Sequence, residues 1–290
     1  MVFDGYCSSP KDHDHQRRSK YFCTDKNIQK NIVCTTTENR LLSNTQNKVQ
    51  LIKLLTDEFR ANGINVILAE DDAETLIVRT ALNISFTEDV EVKTEDTDIL
   101  CLLVHHCRIA QHNMYLTTSK GTYSINEISS KLNKKQQDTL LFSHSFSGCD
   151  TVSGDYGFGK VAIFNKMTGN KCPDDALQKI TSLGSSKVDI IHAGITLFQY
   201  IYGNKDVTLR QQRYQSFGKM AAKGAVTLSR LPPTAAAARE HTLRAYLQYR
   251  DWLLLESQSL DPIDYGWRRG DGLFEPIPSA EPMATDTLLK

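Results

Sequence analysis

Residues 92–100 read Val-Lys-Thr-Glu-Asp-Thr-Asp-Ile-Leu, and this stretch places Asp96 and Asp98 directly after a predicted strand. The strand is predicted over 90–94, because apolar and polar residues alternate there. Open α/β sheets bind their ligands at the carboxyl ends of parallel strands. Two carboxylates two residues apart repel each other unless a cation or a proton lies between them. The pair therefore indicates a metal site, although the same spacing is also common in surface turns.

Three further acidic groups follow predicted strands or helices. Asp4 ends a strand over 1–4, and Asp150 lies in the turn after a predicted helix over 135–145. The third group follows a strand over 64–68 and contains Glu70, Asp71, Asp72 and Glu74. Helix capping explains this third group about as well as metal binding does. Four such groups at one sheet edge would offer the hard oxygen ligands that Mg²⁺ or Mn²⁺ prefers.

Two such ions, about 3.5–4 Å apart, can clamp the attacking and the leaving oxygen of a phosphodiester. Hydrolysis of phosphodiester bonds is therefore the reaction that these acids favour.

The order of the predicted elements indicates an α/β fold with a mainly parallel sheet flanked by helices. Strands and helices alternate as far as residue 94, with helices predicted over 45–62 and 72–82. Two more strands, 113–117 and 121–125, precede a helical region. The helices predicted there are 126–132, 135–145, 159–168, 174–183, 188–203, 207–222 and 235–256, and an extended or disordered tail is predicted after them.

Composition and charge narrow the functional classes. Lysine plus arginine and aspartate plus glutamate both number 34, so the net charge by itself predicts no polyanionic partner. The charges are unevenly placed, because 54–110 contains 12 acids and 4 bases whereas 208–250 contains 8 bases and 1 acid. The seven cysteines show no Cys-x-x-Cys spacing, and no apolar run reaches the roughly 20 residues of a membrane span. We therefore expect an intracellular protein without a membrane segment.

Four stretches resemble the flap-endonuclease (XPG-type, PIN-like) nuclease superfamily in the order that the family has them. Val-Phe-Asp-Gly (2–5) resembles its first strand end, and Asp-Ala-Glu (72–74) resembles its Glu-Ala-Glu block. Thr-Glu-Asp-Thr-Asp (94–98) is similar to its Thr-Glu-Asp-x-Asp block. Gly-Cys-Asp (148–150) and Gly-Phe-Gly-Lys (157–160) resemble its helix–two-turn–helix. The whole stretch 143–160 also looks like a group of uncharacterised eukaryotic PIN-like proteins, which we suspect to derive from mobile elements.

The resemblance implies a domain organisation and a function. A PIN-like nuclease domain would span 1–170, followed by a helical region over 171–258 and an extended or disordered tail over 259–290. The family's first metal aspartate has no counterpart before Asp4, so we expect this domain to be truncated at its amino terminus. The implied activity is structure-specific, flap-type hydrolysis of nucleic acid, most simply DNA, with two Mg²⁺ or Mn²⁺ ions, which favours the nucleus over the cytoplasm.

The resemblance also assigns residues to the site. Lys11 and Arg18 fall where the family keeps a lysine and an arginine that touch the scissile phosphate. Gly157, Gly159 and Lys160 would hold the nucleic-acid backbone at a helix start. The implied metal ligands are Asp4, Asp72, Glu74, Asp96, Asp98 and Asp150.

Other interpretations stay open. The first is a catalytically inactive PIN-like scaffold that binds nucleic acid or a protein. The second is an unrelated phosphatase-like enzyme, for which Asp4-Gly5-Tyr6 supplies only one of the two acids needed. In the basic region 208–250, the interleaved aromatics either pack against the rest of the protein or accompany the bases in binding nucleic acid; they are Tyr214, Phe217, Tyr246 and Tyr249.

Overall fold

The computed structural model describes residues 1–5, 10, 23–31, 33, 35–70, 73–154, 157–203, 206–253, 260–270 and 273–279. The chain divides into two compact units. Unit 1 comprises Met1–Thr80 and Arg269–Glu275, and unit 2 comprises Ala81–Arg268 and Pro276–Lys290.

Unit 1 contains a short parallel sheet and a long helix. Strand β1 (Val2–Phe3) pairs in parallel with β2 (Ile67–Leu68). A four-residue helix, α1 (Glu38–Leu41), precedes α2 (Thr45–Ala61), which begins where the Asn44 side chain accepts a hydrogen bond from the Asn47 backbone. The helix predicted over 45–62 is therefore confirmed.

The β2 strand differs from the expectation in one respect. A buried strand was predicted over 64–68, but Ile67 and Leu68 are 39% and 48% exposed. Only Val66 in this run is buried. An apolar run predicts a strand, but it does not reveal whether both faces of that strand are covered.

Unit 2 contains a mixed three-stranded sheet. Strand β3 (Val90–Lys93) pairs in parallel with β4 (Met114–Thr118), which pairs antiparallel with β5 (Gly121–Ser124). Helix α3 (Glu74–Ile84) precedes β3, and α4 (Thr97–His106) connects β3 to β4. The strands at 90–94, 113–117 and 121–125 are confirmed within one or two residues. Helix α4 between them was not predicted, because its apolar run 99–104 does not by itself distinguish a helix from a strand.

Helices form the rest of unit 2. After α5 (Ile125–Ser130) come α6 (Lys134–Phe146), α7 (Lys160–Thr168), α8 (Asp174–Thr181), α9 (Lys187–Ile201), α10 (Leu209–Ala221) and α11 (Ala235–Trp252). Each agrees with a predicted helix to within a few residues. The described residues are thus mixed α/β and 54% helical, so the predicted α/β class is confirmed, whereas the PIN-like arrangement of the sheet stays a prediction.

Helix α11 lies at the centre of the helical part. It packs closely against α9, where a Cβ on Gly194 would overlap the Thr242 side chain. It also contacts the end of α6 through two buried hydrogen bonds to main-chain carbonyls. Ser145 Oγ donates to the Ala245 carbonyl at 3.0 Å, and His241 Nε2 lies 2.9 Å from the Phe146 carbonyl oxygen. The end of α6 is therefore fixed by a helix 100 residues further along the chain.

The segment after residue 259 is more structured than predicted. Pro262–Asp264 form a 3₁₀ turn, and β6 (Trp267–Arg269) pairs with β7 (Phe274–Pro276). Trp267 is only 3% exposed and is therefore a core residue. The prolines in this segment led to the prediction of an extended or disordered tail, but proline is also compatible with strand ends. Among the described helices, none has the length and the apolar character that crossing a membrane requires.

Candidate functional site

Asp96 and Asp98 lie at the start of α4, immediately after β3. Asp96 is the N-cap residue of the helix, and its Oδ1 accepts a hydrogen bond from the Asp98 backbone N–H at 2.8 Å. Thr94 Oγ1 in turn accepts from the Asp96 backbone at 3.1 Å. The chain turns from strand to helix within three residues, so Asp98 enters the first helical turn, where the macrodipole favours a negative charge.

Asp98 is paired with His144 from the end of α6. Asp98 Oδ1 lies 2.6 Å from His144 Nε2, and the two side chains are only 12% and 7% exposed. Because an ionised carboxylate only accepts hydrogen bonds, Nε2 carries the hydrogen and donates it. The His144 ring also packs against Trp252, with ring centroids 5.6 Å apart. The histidine is thus held between a carboxylate and an aromatic ring of α11.

Lys160, the first residue of α7, places a positive charge beside the Asp98 carboxylate. Its Nζ lies 3.6 Å from Asp98 Oδ1 and 2.9 Å from His144 Nε2. The ammonium cannot donate to Nε2, which itself donates to Asp98, but it can donate to Nδ1 at 3.4 Å, and it also interacts with the carboxylate charge of Asp98. The Lys160 side chain is 40% exposed and can reach a ligand from solvent.

Cys101 lies one turn after Asp98 and contacts the other nitrogen of the imidazole. Its Sγ is 3.5 Å from His144 Nδ1. Cysteine, histidine and aspartate in this order resemble a nucleophilic triad. Burial, however, raises the pKa of Cys101 to about 12, so the sulfur remains a thiol at neutral pH. A thiol that donates to Nδ1 stabilises the imidazole tautomer already assigned.

The Gly-Cys-Asp turn lies close to this cluster. Gly148 adopts φ +109°, and a Cβ there would come within 2.7 Å of the Gly154 backbone, so this turn requires glycine. Cys149 and Val152 close the turn by reciprocal backbone hydrogen bonds of 2.9 and 3.2 Å. Burial raises the pKa of Cys149 to about 11. The charge of Asp98 also raises this pKa, whereas the charge of Lys160 lowers it. Asp150 follows Cys149 and is half-buried.

The glycines before Lys160 form the predicted turn. Gly157 has φ +92°, and Gly159 is the N-cap residue of α7, for which no side-chain capping bond occurs. Because no side chain caps this helix, its first backbone N–H groups can donate to water or to a ligand, as the Lys160 ammonium can. Together they can bind a phosphate group.

In unit 1, the ends of β1 and the start of α3 meet. Asp4 Oδ1 accepts a hydrogen bond from the Ala73 backbone N–H at 3.1 Å, although 69 residues separate them in the sequence. Glu74 begins α3 and is only 6% exposed. Gly5 has no room for a side chain, because a Cβ would overlap the carbonyl oxygens of Ala69 and Glu70.

Several assigned residues are not described. Asp72, Lys11 and Arg18 lie outside the described residues, so their predicted roles stay predictions. The carboxylates of Asp96, Asp98 and Asp150 fit a hard divalent cation in their donor chemistry. Within the described part of the chain, no group of three or more His, Cys, Asp or Glu side chains is placed to hold a metal ion. The complete ligand set therefore also stays a prediction.

The sequence analysis did not identify the thiol next to His144. The spacing of Asp98 and Cys101, three residues apart on a helix, places both on one face and could have indicated a shared partner. The distance to His144 could not be deduced, because it depends on how α4 packs against α6.

Comparison with known proteins adds no assignment. None of the family models, curated proteins or solved structures that were compared with the chain matches it.

Proposed function

We propose that this chain is a divalent-metal-dependent nuclease of the XPG-type, PIN-like kind, or a descendant of one, which hydrolyses branched DNA. The observation that supports the proposal is the contact of Asp98 with His144 and Lys160. This contact joins two stretches that resemble the family, 94–98 and 143–160, through a nearly buried carboxylate. A DNA substrate also favours a nuclear location for the protein.

The protein's own residues would have separate roles in this reaction. Bound Mg²⁺ or Mn²⁺ would activate the attacking water and stabilise the leaving oxygen. His144 orients the Asp98 carboxylate through Nε2. Lys160 and the start of α7 would hold a phosphate of the DNA backbone, since the lysine is half-exposed and the helix start offers N–H donors. By resemblance, Lys11 and Arg18 would touch the scissile phosphate.

We expect Asp98→Asn to abolish cleavage. The substitution keeps the size of the side chain and removes the charge, so a metal-dependent rate should fall by at least about 100-fold. The measurement is cleavage of an end-labelled branched DNA in Mg²⁺ or Mn²⁺, with single-stranded and blunt duplex DNA for comparison.

Asp57→Asn provides the matched control, because Asp57 is an exposed aspartate of α2. It should cleave at the wild-type rate, and a chelator should stop both proteins. Equal cleavage by wild type and Asp98→Asn would show that Asp98 does not have the assigned role.

A PIN-like scaffold without catalytic activity is the second candidate. It is favoured by the same contact, because the Asp98 charge is already balanced by Lys160 and its oxygen is already bonded to His144. In that case neither wild type nor Asp98→Asn would cleave, and Asp98 would only stabilise the fold.

A further inference from the structure

Helix α10 exposes two aromatic side chains to solvent. Tyr214 is 80% exposed and Phe217 is 41% exposed. The other two tyrosines of the basic region, Tyr246 and Tyr249, are only 1% and 4% exposed. The sequence left open whether these aromatics pack or bind. Packing accounts for Tyr246 and Tyr249, but it does not account for the pair on α10.

The exposed aromatics form a stripe with an arginine. Arg210, Tyr214 and Phe217 are separated by four and three residues, so they lie on one side of the helix. The opposite side holds the helix in place, since Leu209 is 2% exposed and Gln212 Nε2 donates to the Gln199 carbonyl at 2.8 Å. The stripe is thus presented by a helix that is fixed on its inner face.

The chain segment that contains the stripe is basic. Residues 207–239 contain no aspartate or glutamate. Arg213 lies beside the stripe, and its guanidinium is held by a 2.6 Å hydrogen bond to the Pro232 carbonyl. The basic residues of this segment are Arg210, Arg213, Lys219, Lys223, Arg230 and Arg239.

We propose that this surface of α10 binds single-stranded nucleic acid. Bases stack on exposed aromatic rings regardless of sequence, and arginines beside those rings hold the phosphate backbone. Tyr214 and Phe217 lie about 4.5 Å apart along the helix axis, which suits two bases of one strand. The surface needs no metal ion, so this inference goes beyond the proposed hydrolysis and does not depend on it.

The composition of the stripe favours nucleic acid over a protein helix as the occupant. Grooves and faces that bind an amphipathic helix present aliphatic side chains at successive turns. Here the exposed neighbours are Gln211, Gln215 and Gly218, which offer little apolar area. An acid-free segment instead complements a polyanion.

Binding by the full chain in a chelator tests the proposal. Fluorescence anisotropy would compare labelled oligo(dT) and oligo(U) of about 12 nucleotides, a length within the range that such surfaces cover. The Tyr214→Ala/Phe217→Ala variant should bind at least about tenfold more weakly, because it lacks both rings on which bases would stack. Tyr123→Ala is the control, since Tyr123 is a 42% exposed tyrosine of β5, and it should bind like wild type.

Charge is tested separately through the salt dependence. Arg210→Gln should reduce the slope of the logarithm of the binding constant against the logarithm of the salt concentration by about 0.7. This is the value for one phosphate contact on a single strand. Lys93→Gln, at a 75% exposed lysine of β3, should leave the slope unchanged.

Preferential binding of oligo(dT) or oligo(U) would identify the strand as DNA or RNA, and either result supports the proposal. It would be overturned if wild type bound neither strand, or if the double variant bound as tightly as Tyr123→Ala. Tyr214- and Phe217-dependent binding of labelled polyglutamate in place of the oligonucleotides would assign the surface to an acidic protein. Self-association that the double variant abolishes would assign it to a second copy of the chain. Both of these results would also overturn the proposal.

Discussion

Replacing His144 with alanine is expected to lower the free energy of unfolding by about 3 kcal/mol. The substitution removes the hydrogen bond that His144 donates to the Asp98 carboxylate, which is only 12% exposed. Losing a hydrogen bond to a nearly buried charged group costs about 1–3 kcal/mol or more. The Lys160 ammonium, 3.6 Å from Asp98 Oδ1, should retain part of the compensation. Urea unfolding of wild type and variant measures the difference.

His112→Ala provides a matched control, because His112 and Asp89 also form a histidine–aspartate contact. Their closest atoms are 3.7 Å apart, and the side chains are 44% and 53% exposed. An exposed pair of this kind contributes about 0–1 kcal/mol. His144→Gln, which keeps a donor, should recover part of the loss. Equal stabilities for His144→Ala and His112→Ala would contradict the role given to the Asp98–His144 contact.

Acidification is expected to destabilise the protein through buried His241. Burial lowers the pKa of this histidine to about 4, and the charge of Arg244 acts in the same direction. The unfolded chain binds the proton near pH 6.5 and the folded protein only near pH 4. The contribution of neutral His241 to stability is therefore fully present above about pH 6.5 and is lost as the pH falls towards 4. Between about pH 7 and about pH 5, this effect of His241 alone should lower the free energy of unfolding by about 2 kcal/mol.

The variant His241→Gln isolates this contribution. Glutamine can still donate to the Phe146 carbonyl, but it does not titrate. The loss of unfolding free energy between the two pH values should be smaller by about 2 kcal/mol than in wild type. His192→Gln, at an exposed histidine of α9, should keep the wild-type pH dependence. A wild-type pH dependence in His241→Gln would show that His241 does not resist protonation in the folded state.

Local signals in the sequence predicted most of the secondary structure, but not helix α4. The alternation at 90–94 predicted β3, and the pattern over 45–62 predicted α2, which ends at Ala61. Such patterns depend on each element's own neighbours along the chain. The exposure of Ile67 and the strands around Trp267 were missed, because both depend on what packs against the segment.

The parts of the candidate site that depend on local sequence patterns were predictable, whereas the parts that depend on packing between helices were not. Asp98 was identified from its position after a strand, and the stretch 143–160, which contains His144, was identified from its resemblance to the family. Lys160 was assigned to phosphate binding, yet it also lies beside Asp98. That contact depends on the packing of α4, α6 and α7, which no local pattern specifies. The exposure of Tyr214 likewise depends on which side of α10 is covered.

Binding of Mn²⁺ to the purified chain is the measurement that tests the central claim most directly. Titration followed by calorimetry would compare wild type, Asp98→Asn and the exposed control Asp57→Asn. Two Mn²⁺ ions are expected to bind to wild type and to Asp57→Asn, and Asp98→Asn should bind at least about tenfold more weakly. Equal Mn²⁺ affinity in wild type and Asp98→Asn, or no binding by wild type, would contradict a metal-dependent site at Asp98.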